Sequence, residues 1–208
     1  MANYTTADIK ALREKTGAGM LDVKKALDEA DGDAERAVEI IRVKGLKGVA
    51  KREGRNASAG LIAARVVDDG DSQAGVLVEV NAETDFVAKN EKFIAFADRV
   101  LDAAVASGAE TAEALAEVAV EDGTVKDLTD SMQAVIGEKI VVRRVGRLAA
   151  PKVDLYLHRT SPDLPAQVAV LIGTDAAGAG VAHDIAMHTA AYSPLYLSRE
   201  DVPAETIA

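Results

Sequence analysis

Val76-Leu77-Val78-Glu79-Val80-Asn81-Ala82-Glu83-Thr84-Asp85-Phe86-Val87-Ala88-Lys89-Asn90-Glu91-Lys92-Phe93 passes from one structural period to another. Val76 to Val80 is apolar and rich in β-branched residues, as a half-buried strand requires. From Phe93 the apolar positions Phe96, Ala97, Val100, Leu101 and Ala104 follow helical spacing, which marks one buried face rather than a cofactor box. Upstream, Leu61 to Val67 is a second strand pattern, joined to the first by Asp68-Asp69-Gly70-Asp71-Ser72, a hairpin sequence. Downstream, helical patterns fall at Leu115 to Val118 and at Leu128, Met132, Val135 and Ile136, before Ile140 to Val145 resumes as strand. Val153, Leu155 and Leu157 alternate with Asp154, Tyr156 and His158, so the two sets face opposite sides of a further strand. Val168 to Ile172 is another strand and leads to a helix from about Ala176 to Ala191.

The N-terminal region is different. Thr5 and Thr6 can cap a helix carrying Ile9 and Leu12, and Gly17 terminates it after Thr16. A second helix runs from about Met20 to Ala30 with Val23, Ala26, Leu27 and Ala30 on one stripe, and Gly32-Asp33 opens a third holding Ala37, Val38 and Ile41. Each stripe is narrow, so the three must bury one another as a small helical module. Between Arg42 and Arg55 the positives Arg42, Lys44, Lys47, Lys51, Arg52 and Arg55 face only Glu53, and Gly45, Gly48 and Gly54 interrupt them. A solvated linker is preferred there to a basic docking strip. The expected class is α+β: residues 1–45 a helical module, 46–57 a basic linker, and 58–145 and 146–208 two α+β parts of a core with antiparallel sheets. Nothing at Gly146 itself marks a break. Asp201 with Pro203 reads as the beginning of a helix that the chain does not continue.

Composition removes several classes of function. The 208 residues contain no cysteine, which rules out disulfides and thiolate chemistry and suits a reducing compartment. Met1 to Thr5 shows no basic flank or apolar run, and no segment approaches the roughly 20 apolar residues that cross a bilayer, so a cytoplasmic protein without a membrane partner is expected. A net charge of −10 opposes non-specific nucleic-acid binding, and aromatics at 3% with no tryptophan leave few stacking platforms.

Catalytic patterns fail on detail. His183 and His188 are five apart, about 140° round a helix, whereas a metal pair needs one face. His188 shares the stripe of Val181 and Ile185 and is expected to be partly buried, with His183 facing solvent. His158, on the polar side of its strand beside Tyr156, suits a contact with a partner as well as no role at all. Gly178-Ala179-Gly180 has the look of a dinucleotide loop, but His183 occupies its third glycine position and no βαβ unit is completed. No enzyme, cofactor or metal site is expected.

Thr84 and Asn90 are both helix caps, so Asp85 and Phe86 fall at an element boundary, where functional side chains are commonly carried. On local physics alone Phe86 staples the start of the helix and Asp85 pairs with Lys89.

Leu12-Arg13-Glu14-Lys15-Thr16-Gly17-Ala18-Gly19-Met20 with Asp22 and Lys24-Lys25-Ala26-Leu27, then Thr84 to Lys89, Ile136-Gly137-Glu138, and Tyr156 with His158, occur in this order over nearly the whole chain. In these stretches the sequence closely resembles the elongation factor Ts family, exchange factors for elongation factor Tu. The resemblance implies a ubiquitin-associated-like helical module before a core of two subdomains, and elongation factor Tu, GDP-bound or nucleotide-free, as partner. It also implies that Thr84, Asp85, Phe86 and Val87 form a tip entering the GTPase near its Mg²⁺ site. Arg13, Met20 and Leu21 map to the module's docking surface, and Ile136 and His158 to core contacts. Ala82 stands where many relatives have cysteine, and Leu21 and Val23 replace a methionine and a cysteine, all apolar exchanges of modest consequence. Relatives continue past Asp201-Val202-Pro203 into a helical hairpin, so the second subdomain is expected to be incomplete.

Overall fold

The computed structural model describes residues 3–121 and 123–207. Met1, Ala2, Asp122 and Ala208, which include the first residues of the helical module and the last of the second core part as bounded above, lie outside the described residues. Helix α1 (Thr6–Thr16) begins at a capping box in which Thr5 and Asp8 satisfy each other's backbone amides, and it ends at Gly17 with φ 69°. α2 (Met20–Glu29) and α3 (Ala34–Arg52) follow, α3 capped by Asp33. Leu12, Val23, Ala26, Leu27, Ala30 and Ala37 form their common core.

The basic linker expected over 46–57 is helical as far as Arg52. Gly45, just ahead of it, serves packing rather than loosening. A Cβ at Gly45 would lie 2.5 Å from the Ala134 methyl of the later helix α7, so only glycine allows the two helices this approach. Tertiary contact outweighs the roughly 1 kcal/mol that glycine costs a helix interior. The cations are also engaged: Arg42 pairs with Glu39, Lys44 with Glu29, Arg55 with Glu83, and Arg52 donates to the Gln133 carbonyl.

Strands β1 (Ala59–Asp69) and β2 (Ser72–Ala82) form an antiparallel hairpin closed by Gly70 at φ 64°. Short helix α4 (Asp85–Ala88) leads into α5 (Glu91–Ser107). Next come α6 (Ala112–Ala116), the two-residue strands β3 (Ala119–Val120) and β4 (Gly123–Thr124), and α7 (Val125–Ile136). Strand β5 (Val141–Ala150) joins β2 to complete a sheet of order β1-β2-β5. It runs unbroken across Val145 and Gly146, so the division set there falls inside a strand.

Val76, Val78 and Val80 point to one face of this sheet and pack with Phe93, Phe96, Val100 and Leu101 of α5, all buried. Each such apolar side chain stabilises the fold by roughly 1.5–3 kcal/mol. The other face is covered by the antiparallel hairpin of β6 (Lys152–His158) and β7 (Val168–Thr174). Gly75 is the point of closest approach, since a Cβ there would meet Leu171 and Val153 within 3 Å. Helix α8 (Ala182–Tyr192) lies against the outer face of that hairpin, and α9 (Ala204–Ile207) is one turn near the C-terminus.

The stripe expected to be buried on α8 is instead outward. Ala182 and Ala186 are its buried residues, while Val181, Ile185 and His188 are exposed, His188 stacking on Tyr192. Small alanines let the helix sit close to the hairpin, and the larger side chains turn away. No helix among the described residues is long and apolar enough to cross a membrane.

Candidate partner-binding tip and its supports

Residues 83–90 carry the chain from β2 to α5. Thr84 is extended (φ −130°, ψ 155°) and caps α4 by accepting from the Val87 amide. Val87 and Ala88 face inward and join the buried core, which fixes the base of the turn. Phe86 lies on the opposite side and is 72% exposed, with the Lys89 ammonium 5.0 Å from its ring centroid. The ring is therefore not the staple that local physics suggested, because the hydrophobic anchor of this turn is Val87. Asp85, the first residue of α4, is exposed.

Two carboxylates brace the tip. Glu138 accepts from the Thr84 amide at 3.1 Å and from the Thr84 hydroxyl at 2.7 Å. Glu83 accepts from the Lys139 amide at 2.6 Å and from Arg55. The Lys139 amide, and after it the Arg55 guanidinium, hold the Glu83 carboxyl below its usual range. Behind them, buried Asn81 accepts from Arg143, whose guanidinium also donates to the Ala57 carbonyl at 2.6 Å. Ile136, the last residue of α7, is half-buried against the core, and Gly137 at φ 84° ends the helix and turns the chain toward Glu138. The tip and Ile136 are thus brought into one cluster. Sequence reading gave Glu138 no role although it stands in the quoted stretch Ile136-Gly137-Glu138; its only local signal is a carboxylate directly after a helix-ending glycine.

Arg13, Met20 and Leu21 lie in the helical module, on α1 and at the start of α2, and all three are exposed, Met20 by 59% and Leu21 by 72%. They flank the Gly17–Gly19 loop, which packs toward α7: a Cβ at Gly17 would lie 2.7 Å from Val135. His158 is exposed at the end of β6, its Nδ1 3.1 Å from the Tyr156 hydroxyl. The Tyr156 ring meets His183 edge-on at 5.7 Å, and His183 Nδ1 lies 3.1 Å from Asp154. His183 is solvent-facing, as expected, yet it ties α8 to β6. Among the described residues no group of three or more His, Asp or Glu is placed to hold a metal ion.

The family model for elongation factor TS matches residues 83–208. The chain is 65% identical to elongation factor Ts of Beutenbergia cavernae over 210 aligned positions, covering 100% of this chain and 75% of that relative. It is 62% identical to elongation factor Ts of Micrococcus luteus and 59% identical to that of Paenarthrobacter aurescens, with 100% of this chain and 74% of each relative covered. Similarity of this extent over the whole chain means that the chain belongs to the elongation factor Ts family.

Proposed function

We propose that this chain is a guanine-nucleotide exchange factor that binds elongation factor Tu and releases its GDP during translation elongation, with Phe86 as the wedge. The observation that carries the reading is an apolar ring held 72% exposed on a turn whose other face is built into the core. An aromatic side chain on a braced support is the kind of anchor that dominates protein interfaces.

A GTPase holds GDP largely through phosphate-binding amides and Mg²⁺, so a ring that shifts the loops around the metal weakens the hold. Thr84 sets the start of the turn, Asp85 meets the partner beside the ring, and Val87 acts from within as its anchor. Arg13, Met20 and Leu21 form a second contact on the nucleotide-binding domain, and Ile136 and His158 a third and fourth from the core. The helical module and the two parts of the core then work as separate contact regions. The chain makes and breaks no bond and uses no cofactor; coupling through binding alone suffices. That coupling is reciprocal: the exchange factor weakens nucleotide binding by the same factor that nucleotide weakens exchange-factor binding.

The test is the release of fluorescent GDP from elongation factor Tu in a stopped-flow instrument. Phe86→Ala should slow the stimulated rate about tenfold and leave thermal unfolding within about 0.5 kcal/mol of the parent, as for other surface substitutions. An unaltered release rate would refute the wedge.

A further inference from the structure

The last backbone pair of the β2–β5 ladder joins Asn81 to Val141. Beyond it the two segments do not part. Glu83 takes the Lys139 amide and Glu138 takes the Thr84 amide, pairings that continue the same antiparallel register. Side-chain carboxylates thus replace backbone carbonyls once the strands have ended. Backbone pairing at Thr84 would bind its amide to a strand neighbour and leave its side chain free of the loop opposite. A carboxylate instead reaches both the amide and the hydroxyl, while the hydroxyl oxygen still accepts from Val87. The ladder is extended by one more rung and the helical turn begins on the same residue.

We propose that Glu138 is a positioning residue for nucleotide release, holding Thr84 so that the Phe86 ring is presented in a single attitude and moves together with the contact at Ile136. This rests on the wedge reading above. Two anchors define the tip: Glu138 fixes Thr84 at its start, and burial of Val87 and Ala88 fixes its end. Gly137 is what permits the first anchor, since its φ of 84° ends α7 in a single residue and turns Glu138 back toward β2. Only one residue, Gly137, separates the proposed contact at Ile136 from the brace. Losing the brace leaves the ring attached but free to take other attitudes, so the cost falls on the state in which the ring is inserted and not on first docking.

The experiment measures GDP release from elongation factor Tu against exchange-factor concentration, using the full chain. With Glu138→Ala the rate at saturation should fall about fivefold to tenfold while the half-saturating concentration changes less than about twofold. Thr84→Val, which keeps shape but removes the hydroxyl, should lower the saturating rate in the same direction, and the double variant should fall short of the product of the two effects. Glu138→Gln retains one acceptor oxygen and should recover part of the rate. If Glu138→Ala does not fold, the Thr84→Val and Glu138→Gln rates decide the matter. A normal saturating rate in a folded Glu138 variant, or fully independent effects of the two residues, overturns the positioning role. If Phe86→Ala slows release in the same assay, that failure is confined to Glu138; if it does not, the wedge reading falls and this inference with it.

Discussion

Glu83 accepts the amide proton of Lys139 at 2.6 Å, one residue away from the point where Glu138, on the opposite strand's continuation, accepts that of Thr84. The end of the sheet is therefore closed by two carboxylates, one from each strand's continuation. The ionisation of Glu83 becomes part of the support for the tip.

Stability should respond to acid through Glu83. Its carboxyl is held below the usual range by the Lys139 amide and the Arg55 guanidinium, so the ionised form favours the folded chain. That contribution is fully present above the unfolded value, about pH 4.3, and is lost as pH falls through the lower folded value. Asp8 and Asp127, lowered by their capping partners Thr5 and Thr124, add a background of the same sign. Urea unfolding between about pH 5 and pH 3 should show a shallower decline for Glu83→Gln than for the parent. Parallel curves would remove Glu83 from the account.

The helical module should contribute affinity on its own. Arg13→Ala and Met20→Ala change exposed side chains and should leave melting unaltered. Each should weaken binding to elongation factor Tu by about 1 kcal/mol or more in titration calorimetry. Parent affinity in both variants would argue that this surface faces solvent in the complex.

Gly45→Ala tests the contact between α3 and α7. Helix propensity alone would make it stabilising by about 1 kcal/mol. A Cβ placed 2.5 Å from the Ala134 methyl reverses that sign, so the variant should melt lower, and Ala134→Gly in the same chain should recover much of the loss. A stabilised Gly45→Ala would show that the two helices can separate without cost.

What could be read from the sequence was local. Thr5 and Gly17 bound α1 by cap chemistry, and the change of period at Phe93 separates β2 from α5, because each signal and its cause lie within a few residues. Distant causes were silent. Gly45 and Gly48 in a basic run look like a tether, and the reason for Gly45 is Ala134, far along the chain. On α8 the large side chains Val181 and Ile185 suggested a buried stripe, whereas the hairpin selected the small face of Ala182 and Ala186. At the candidate site Phe86 was legible as an odd aromatic at a boundary, but its exposure was not, since Val87 beside it was an equal contender for the core. Glu138 could be seen only as a member of a motif, because its partner Thr84 stands 54 residues earlier in the chain.

Helix α3 serves two bodies at once: Ala37 is buried in the core of the helical module, while Gly45 and Arg52 rest on α7. Its 19 residues give a rod of about 28 Å with no joint between the bodies. The helical module is seated on the core a second time, where Gly17 closes on Val135. In the proposed complex it therefore meets the partner from a fixed seat, and no hinge has to be ordered first.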